Sequence, residues 1–107
     1  VKLPGKVKVS YLDYTVEEMP LNVAVTGDRH GDCDNVKNLI RVQIKEHTPQ
    51  QQANTLFHEV THAIFHLYGI SLKSEEAVVT GLANAWCQVM RDNPEVEKFI
   101  IGGLNGH

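Results

Sequence analysis

Apolar and polar positions alternate with period two over the first half of the chain and with a period near 3.6 over the second. After a lead-in broken by Pro4 and Gly5, Val7, Val9 and Tyr11 fall on one face and Lys6, Lys8 and Ser10 on the other. That alternation predicts a half-buried strand from Lys6 to Tyr14. Thr15 to Met19 is expected to form a short helical turn before Pro20, and Leu21 to Val25 a second strand ending at Thr26-Gly27. Gly27 to Asn38 is polar and dense in turn formers, so it is expected to be a loop or hairpin connection. Leu39 to Lys45 predicts a further strand, with Val42 and Ile44 as apolar positions.

The period then lengthens. Thr48 is a good N-cap, Pro49 suits the first helical position and Gln51 can complete a capping box. The helix is predicted from Pro49 to Tyr68, with Gly69 as a left-handed cap. Ala53, Leu56, Phe57, Val60, Ile64 and Leu67 nearly encircle it, with Phe65 beside two histidines, so it should be covered on more than one side. The expected setting is between a sheet and a second helix. That second helix starts after Ser74 with Glu75 and Glu76 in its first turn, carries the stripe Val78, Val79, Leu82, Trp86, Val89, Met90, and ends near Asn93-Pro94. Glu95 to Ile101 predicts a short last helix closed by Gly102-Gly103. Strands followed by helices indicate an α+β class, with a short, mostly antiparallel sheet packed on two antiparallel helices.

Composition narrows the function classes. A chain of 107 residues fits one domain spanning 1–107. Ten basic against thirteen acidic residues, without a basic block, argue against nucleic-acid binding. No apolar run approaches the roughly eighteen residues of a membrane span, and no signal-peptide pattern is visible. Val1 stands where Met would open a whole chain, as in a trimmed chain or fragment. Cys33 and Cys87, without a secretory signal, read as free thiols in a reducing cytoplasm. Asp32-Cys33-Asp34 lacks calcium-loop spacing and reads as a solvated turn.

The chemistry concentrates in His58-Glu59-Val60-Thr61-His62. Residues four apart share a helix face, so His58 and His62 can aim two imidazoles at one ion while Glu59 flanks it. The pattern suits Zn²⁺ with two His ligands, a third protein ligand and a position for water, with Glu59 as general base for hydrolysis of a carbonyl substrate. His66 continues the row, but three ligands stepping along one helix cannot converge on one ion, because each turn rises about 5.4 Å. A third His six residues after His62 would be needed for the metzincin pattern, and Tyr68 stands there. Glu75 and Glu76 remain, at the start of a helix that can fold back on the first.

HExxH followed by an acidic helix start resembles the gluzincin peptidases. The strand just before the helix and the spacing of Glu76, Val79, Leu82 and Ala83 resemble ImmA/IrrE-type metallopeptidase domains and, closer still, small zincin-like proteins of bacteriophages. The resemblance covers roughly Leu39 to Pro94, and only HExxH in it is a specific motif. It implies zinc held by His58, His62 and a glutamate of the second helix, with Glu59 as base. It also implies a peptide or protein substrate, bound along Leu39–Lys45 as an edge strand. Between the two glutamates, Glu75 sits nearer the centre of the buried stripe and Glu76 at its edge, where substrate and water enter. The edge position and the family spacing favour Glu76. The oxyanion-stabilising group is unassigned, with Tyr68, His66, His47 and Tyr11 as candidates. The alternative function is a catalytically silent zincin-fold module that binds or regulates and keeps a structural zinc.

Overall fold

The computed structural model describes residues 2–20, 30–71 and 74–106. Strands β1 (Lys6–Val9), β2 (Leu12–Glu18), β3 (Gly31–Asp34) and β4 (Leu39–Val42) are followed by helices α1 (Pro49–Leu67), α2 (Glu75–Asp92) and α3 (Pro94–Leu104). The four strands form one sheet in the order β1-β2-β4-β3. β1 pairs antiparallel with β2 and β3 antiparallel with β4, while β2 and β4 run parallel. The chain is therefore a small α+β domain consistent with a zincin-like fold.

One face of the sheet is apolar. Val7, Val9, Tyr14, Val16, Ile40 and Val42 are buried in one cluster with Leu56, Val60, Ala63 and Ile64 of α1, Ala85 and Val89 of α2, and Val96, Phe99 and Ile100 of α3. Burying side chains of this size contributes about 1.5–3 kcal/mol each, so the cluster fixes how α1 lies on the sheet. The ends of α1 are set by local chemistry. Thr48 and Gln51 exchange the two capping-box hydrogen bonds. At the other end Gly69 takes φ +59°, while Tyr68 N–H donates to Ile64 O at 2.9 Å and Ile70 N–H to Phe65 O at 3.1 Å. Left-handed glycine and paired carbonyls are what stop a helix cleanly. Ser74 caps α2 through the N–H of Ala77.

Several expectations change. The predicted strand from Lys6 to Tyr14 is a hairpin, with Val9 opposite Leu12 and Ser10 at φ 55°. Thr15 to Glu18 continues β2 rather than turning into helix. The predicted strand Leu21–Val25 lies outside the described residues. Within the predicted loop, Gly31–Asp34 is a strand, and the hairpin turn to β4 is held by Asp34, whose Oδ1 accepts from Val36 N–H and Lys37 N–H. Those two amides hold the Asp34 carboxyl below its ordinary value. The Asp32 of the same stretch pairs across the strands with Arg41.

The largest correction concerns edges. Leu39–Val42 is an interior strand, bonded to β2 on one side and β3 on the other, so it is not the edge expected to receive a peptide. Among the described residues the edges are β1 and β3. The β1 edge is covered: Lys8 N–H donates to Asn93 Oδ1 and Ser10 N–H to Gln88 Oε1, each at 2.8 Å. A second correction concerns α1, which packs most extensively on the short α3 rather than on α2. Gly102-Gly103 does not close α3, which runs on to Leu104. Gly103 lies where a Cβ would stand 2.6 Å from Ala53 Cβ and 2.7 Å from Pro49 O, so the missing side chain is what lets the two helices touch.

Candidate metal centre

The face of α1 that meets the core carries Leu56, Val60, Ala63 and Ile64, which turns His58 and His62 to the outside. Their imidazoles stand one turn apart with Nε2 atoms 3.1 Å from each other. Two nitrogens ligating one tetrahedral zinc, each about 2.0–2.1 Å away, lie roughly 3.3 Å apart. The observed separation fits that donor set. Glu59 occupies the flank between the exposed face and the core and is only 7% exposed. One donor atom from each of His58, Glu59 and His62 lies within 4.8 Å of the others, and these three could hold a metal ion.

A carboxylate at this depth is costly to ionise. Burial pushes the Glu59 carboxyl above its ordinary range, and the positive ends of His58 and His62 act against that rise. A carboxylate close to two imidazoles and partly sheltered from water can exchange a proton with a neighbouring group.

Two depressions flank the histidines. A cleft of about 230 Å³ is lined by His30, Gly31, Asn54, Thr55, His58 and Glu59. Its walls are α1 and the chain entering β3, brought together because Gly31 has no side chain to keep them apart. A larger depression of about 500 Å³ is lined by Asn54, Phe57, His58, Thr61, His62 and Phe65. His58 and Asn54 border both. Phe57, 41% exposed, is held by stacking on Trp86 of α2, with ring centroids 4.3 Å apart and planes 7° from parallel.

Glu76 is exposed in the first turn of α2, where its Oε1 accepts from Thr80 Oγ1 at 3.4 Å. Neither Glu76 nor the equally exposed Glu75 belongs to the His58–Glu59–His62 cluster. Of the residues considered for oxyanion stabilisation, Tyr11 is 75% exposed in the first hairpin and His66 is exposed on α1. Tyr68 donates its hydroxyl proton to Gln88 Oε1 at 2.8 Å. His47 approaches the site through a residue that sequence reasoning passed over, His30, whose Nδ1 is 3.3 Å from His47 Nε2. His30 and Gly31 carried no signal of their own, because they sit in a run of turn formers and their role depends on where β3 docks.

A family model described as the IrrE N-terminal-like domain, Peptidase_M78, matches residues 9–87. No curated protein and no solved structure matches the chain.

Proposed function

The chain belongs to the IrrE N-terminal-like domain family, Peptidase_M78, and from that premise we propose that it is a zinc-dependent peptidase with Glu59 as general base. The observation that carries the reading is the convergence of two imidazole nitrogens 3.1 Å apart beside a buried carboxylate. His58 and His62 would hold the ion. A zinc ion in such a site supplies Lewis acidity, making water acidic enough to ionise near neutral pH and polarising a carbonyl.

The chain's own part is proton transfer and positioning. Glu59 takes a proton from a water in the cleft as the water oxygen bonds to the peptide carbonyl carbon, and the carbonyl π pair moves onto its oxygen. When that pair returns, the C–N bond breaks and the proton held by Glu59 passes to the departing nitrogen. The products are a carboxylic acid and an amine. β3, whose Gly31 borders the cleft, takes over from β4 as the strand on which an extended peptide would add. Glu76 remains the proposed third ligand, which requires its carboxylate to leave Thr80 and turn toward the histidines. Two free thiols support a reducing, cytoplasmic setting.

The test is zinc-loaded protein on casein and on a mixed fluorogenic peptide library, beside Glu59→Gln. The variant should keep its zinc and lose hydrolysis by about 10²–10⁴-fold. Zinc lost from Glu59→Gln would make Glu59 a ligand. Zinc retained with no hydrolysis by the unaltered chain would leave the silent zinc module as the answer.

A further inference from the structure

Outside the metal cluster, the described residues contain one other close pair of histidines, and one of the two, His30, opens onto the same cleft. His30 Nδ1 and His47 Nε2 are 3.3 Å apart, with ring centroids 4.9 Å apart and planes tilted by 47°. His30 lines the cleft together with His58 and Glu59. Its backbone is pinned as well, since Gln43 N–H donates to His30 O at 2.8 Å. His47 is anchored in turn by its own N–H to Ile44 O and by Gln52 Nε2, which donates to His47 O at 2.9 Å. The two rings meet in an exposed contact, and the backbones that carry them are held by β4 and α1.

From this arrangement we propose that His30 is a catalytic residue that donates a hydrogen bond to the scissile carbonyl oxygen as it gains negative charge, and that His47 is the positioning residue that fixes its tautomer. The inference rests on the peptidase reading given above. The hydrogen bond between the rings allows two proton arrangements. In one, His47 donates from Nε2 to His30 Nδ1, so both rings carry their proton on Nε2. In the other, both carry it on Nδ1.

Two facts favour the first. Nε2–H is the ordinary tautomer of a neutral imidazole. His47 Nδ1 is also buried with no hydrogen-bond partner, so a proton there would be an orphaned donor. With Nδ1 engaged as acceptor, the polar atom His30 has left for the cleft is the Nε2–H donor. Glu59 serves the attacking water from α1, and His30 lines the same cleft from the β3 side. A donor placed where charge develops is typically worth about 10²–10³ in rate.

The first readout needs no metal and no substrate. Long-range ¹H–¹⁵N correlation spectra of the metal-free protein should show His30 protonated at Nε2 and bare at Nδ1, and His47→Phe should erase that fixed pattern. A His30 with its proton on Nδ1 overturns the proposal. The second uses zinc-loaded protein and two probes on the same tripeptide, a phosphonamidate with a charged tetrahedral centre and a hydroxamate without one. His30→Phe should weaken the phosphonamidate at least tenfold while the hydroxamate and the zinc content are unchanged. Equal loss of both probes, or of neither, overturns the proposal. A chain that loses zinc or hydrolyses no peptide sinks the peptidase reading, and the tautomer measurement still reports on the histidine pair. Casein hydrolysis unchanged by His30→Phe leaves the peptidase standing and removes His30 from its mechanism.

Discussion

Gly31 leaves no room for a side chain beside Glu59 across the cleft: a Cβ built at position 31 would stand 3.3 Å from Glu59 Cγ. The same Cβ would lie 2.6 Å from Thr55 Cγ2 and 2.7 Å from the backbone oxygen of Arg41. Glu59, the proposed base, and the strand end beside it are thus seated by a missing side chain. Gly31→Ala should disturb the docking of β3 on both β4 and α1, because the β4 oxygen of Arg41 is backbone and cannot move aside, and Thr55 and Glu59 of α1 close the other side. Overpacking of this kind costs about 1–3 kcal/mol. Urea unfolding should show that loss, and any peptide hydrolysis should fall further than stability alone explains. An alanine variant of unchanged stability would mean that the contact is looser than described.

Metal binding should be visible as stability. The unaltered chain should take up close to one zinc, and His58→Ala should abolish it. Zinc at a hundred times its dissociation constant should add about 2.7 kcal/mol, which for a domain of this size raises the melting temperature by roughly 10–20 °C. Chelation should reverse the rise. The same rise in His58→Ala would place the ion somewhere else.

How much of this was legible beforehand depends on the range of the interactions. The ends of α1 were, because Thr48, Pro49, Gln51 and Gly69 act on backbone groups within a few residues. The His58–Glu59–His62 cluster was too, since helical spacing alone sets it. The first hairpin was not: Ser10-Tyr11 carries none of the Gly or Asn that normally mark a two-residue turn. β3 was hidden because Gly31-Asp32-Cys33-Asp34 has no apolar alternation and is a strand only by pairing with β4. Strand order and the partner of α1 are long-range outcomes. The family resemblance implied an edge at Leu39–Lys45, and nothing local to the strand reveals that it has two neighbours. The contact of α3 with α1 turns on Gly103, which reads in isolation as a helix stop.

The third ligand is decided by two single substitutions. Glu76→Gln should weaken zinc strongly if its carboxylate joins the site, whereas Glu75→Gln should cost only about 0.3–1 kcal/mol through the helix dipole. Isothermal titration of zinc into each variant reads the difference. Release by Glu75→Gln moves the ligand one position, and release by neither removes the α2 glutamates from the site.

The two thiols should behave differently. Cys87 is exposed, while the Cys33 thiol is half-buried and its pKa is raised from 9.0 to about 12, by burial first and then by the charges of Glu59, Asp32 and Asp34. Iodoacetamide at about pH 8.5 should therefore alkylate Cys87 well before Cys33, because the thiolate is the nucleophile. The sign for stability follows from linkage. A pKa raised on folding gives a contribution that is full below pH 9.0 and is lost as pH climbs toward about 12. Tyr14, raised from 10.0 to about 12 chiefly by burial, adds to the loss over its own interval. Cys33→Ala should flatten the first part of that alkaline decline, and equal alkylation rates for the two thiols would contradict the burial of Cys33.

Asn93 offers the sharpest test of how the sheet is closed. Its Oδ1 accepts from Lys8 N–H, while its Nδ2 donates to Lys8 O and to Val89 O, each contact at 2.8 Å. One buried side chain thus occupies both polar groups of a residue on the β1 edge and a carbonyl of the last turn of α2. Asn93→Ala removes all three bonds and opens the edge to water, so its cost should be about 2 kcal/mol, tempered by solvent reaching Lys8. Asn93→Asp keeps the acceptor but turns the donor into a second carboxylate oxygen facing two carbonyls. At pH 7 it should therefore be less stable than the alanine variant. The carbonyls and burial would hold its folded pKa above the unfolded value near 3.9. Its stability relative to alanine should then recover as pH falls toward that value, where a protonated carboxyl can donate again. Urea unfolding of both variants at pH 7 and about pH 4 checks this. An aspartate variant as stable as the native chain at pH 7 would mean that Asn93 does not bridge β1 to α2 through its donors.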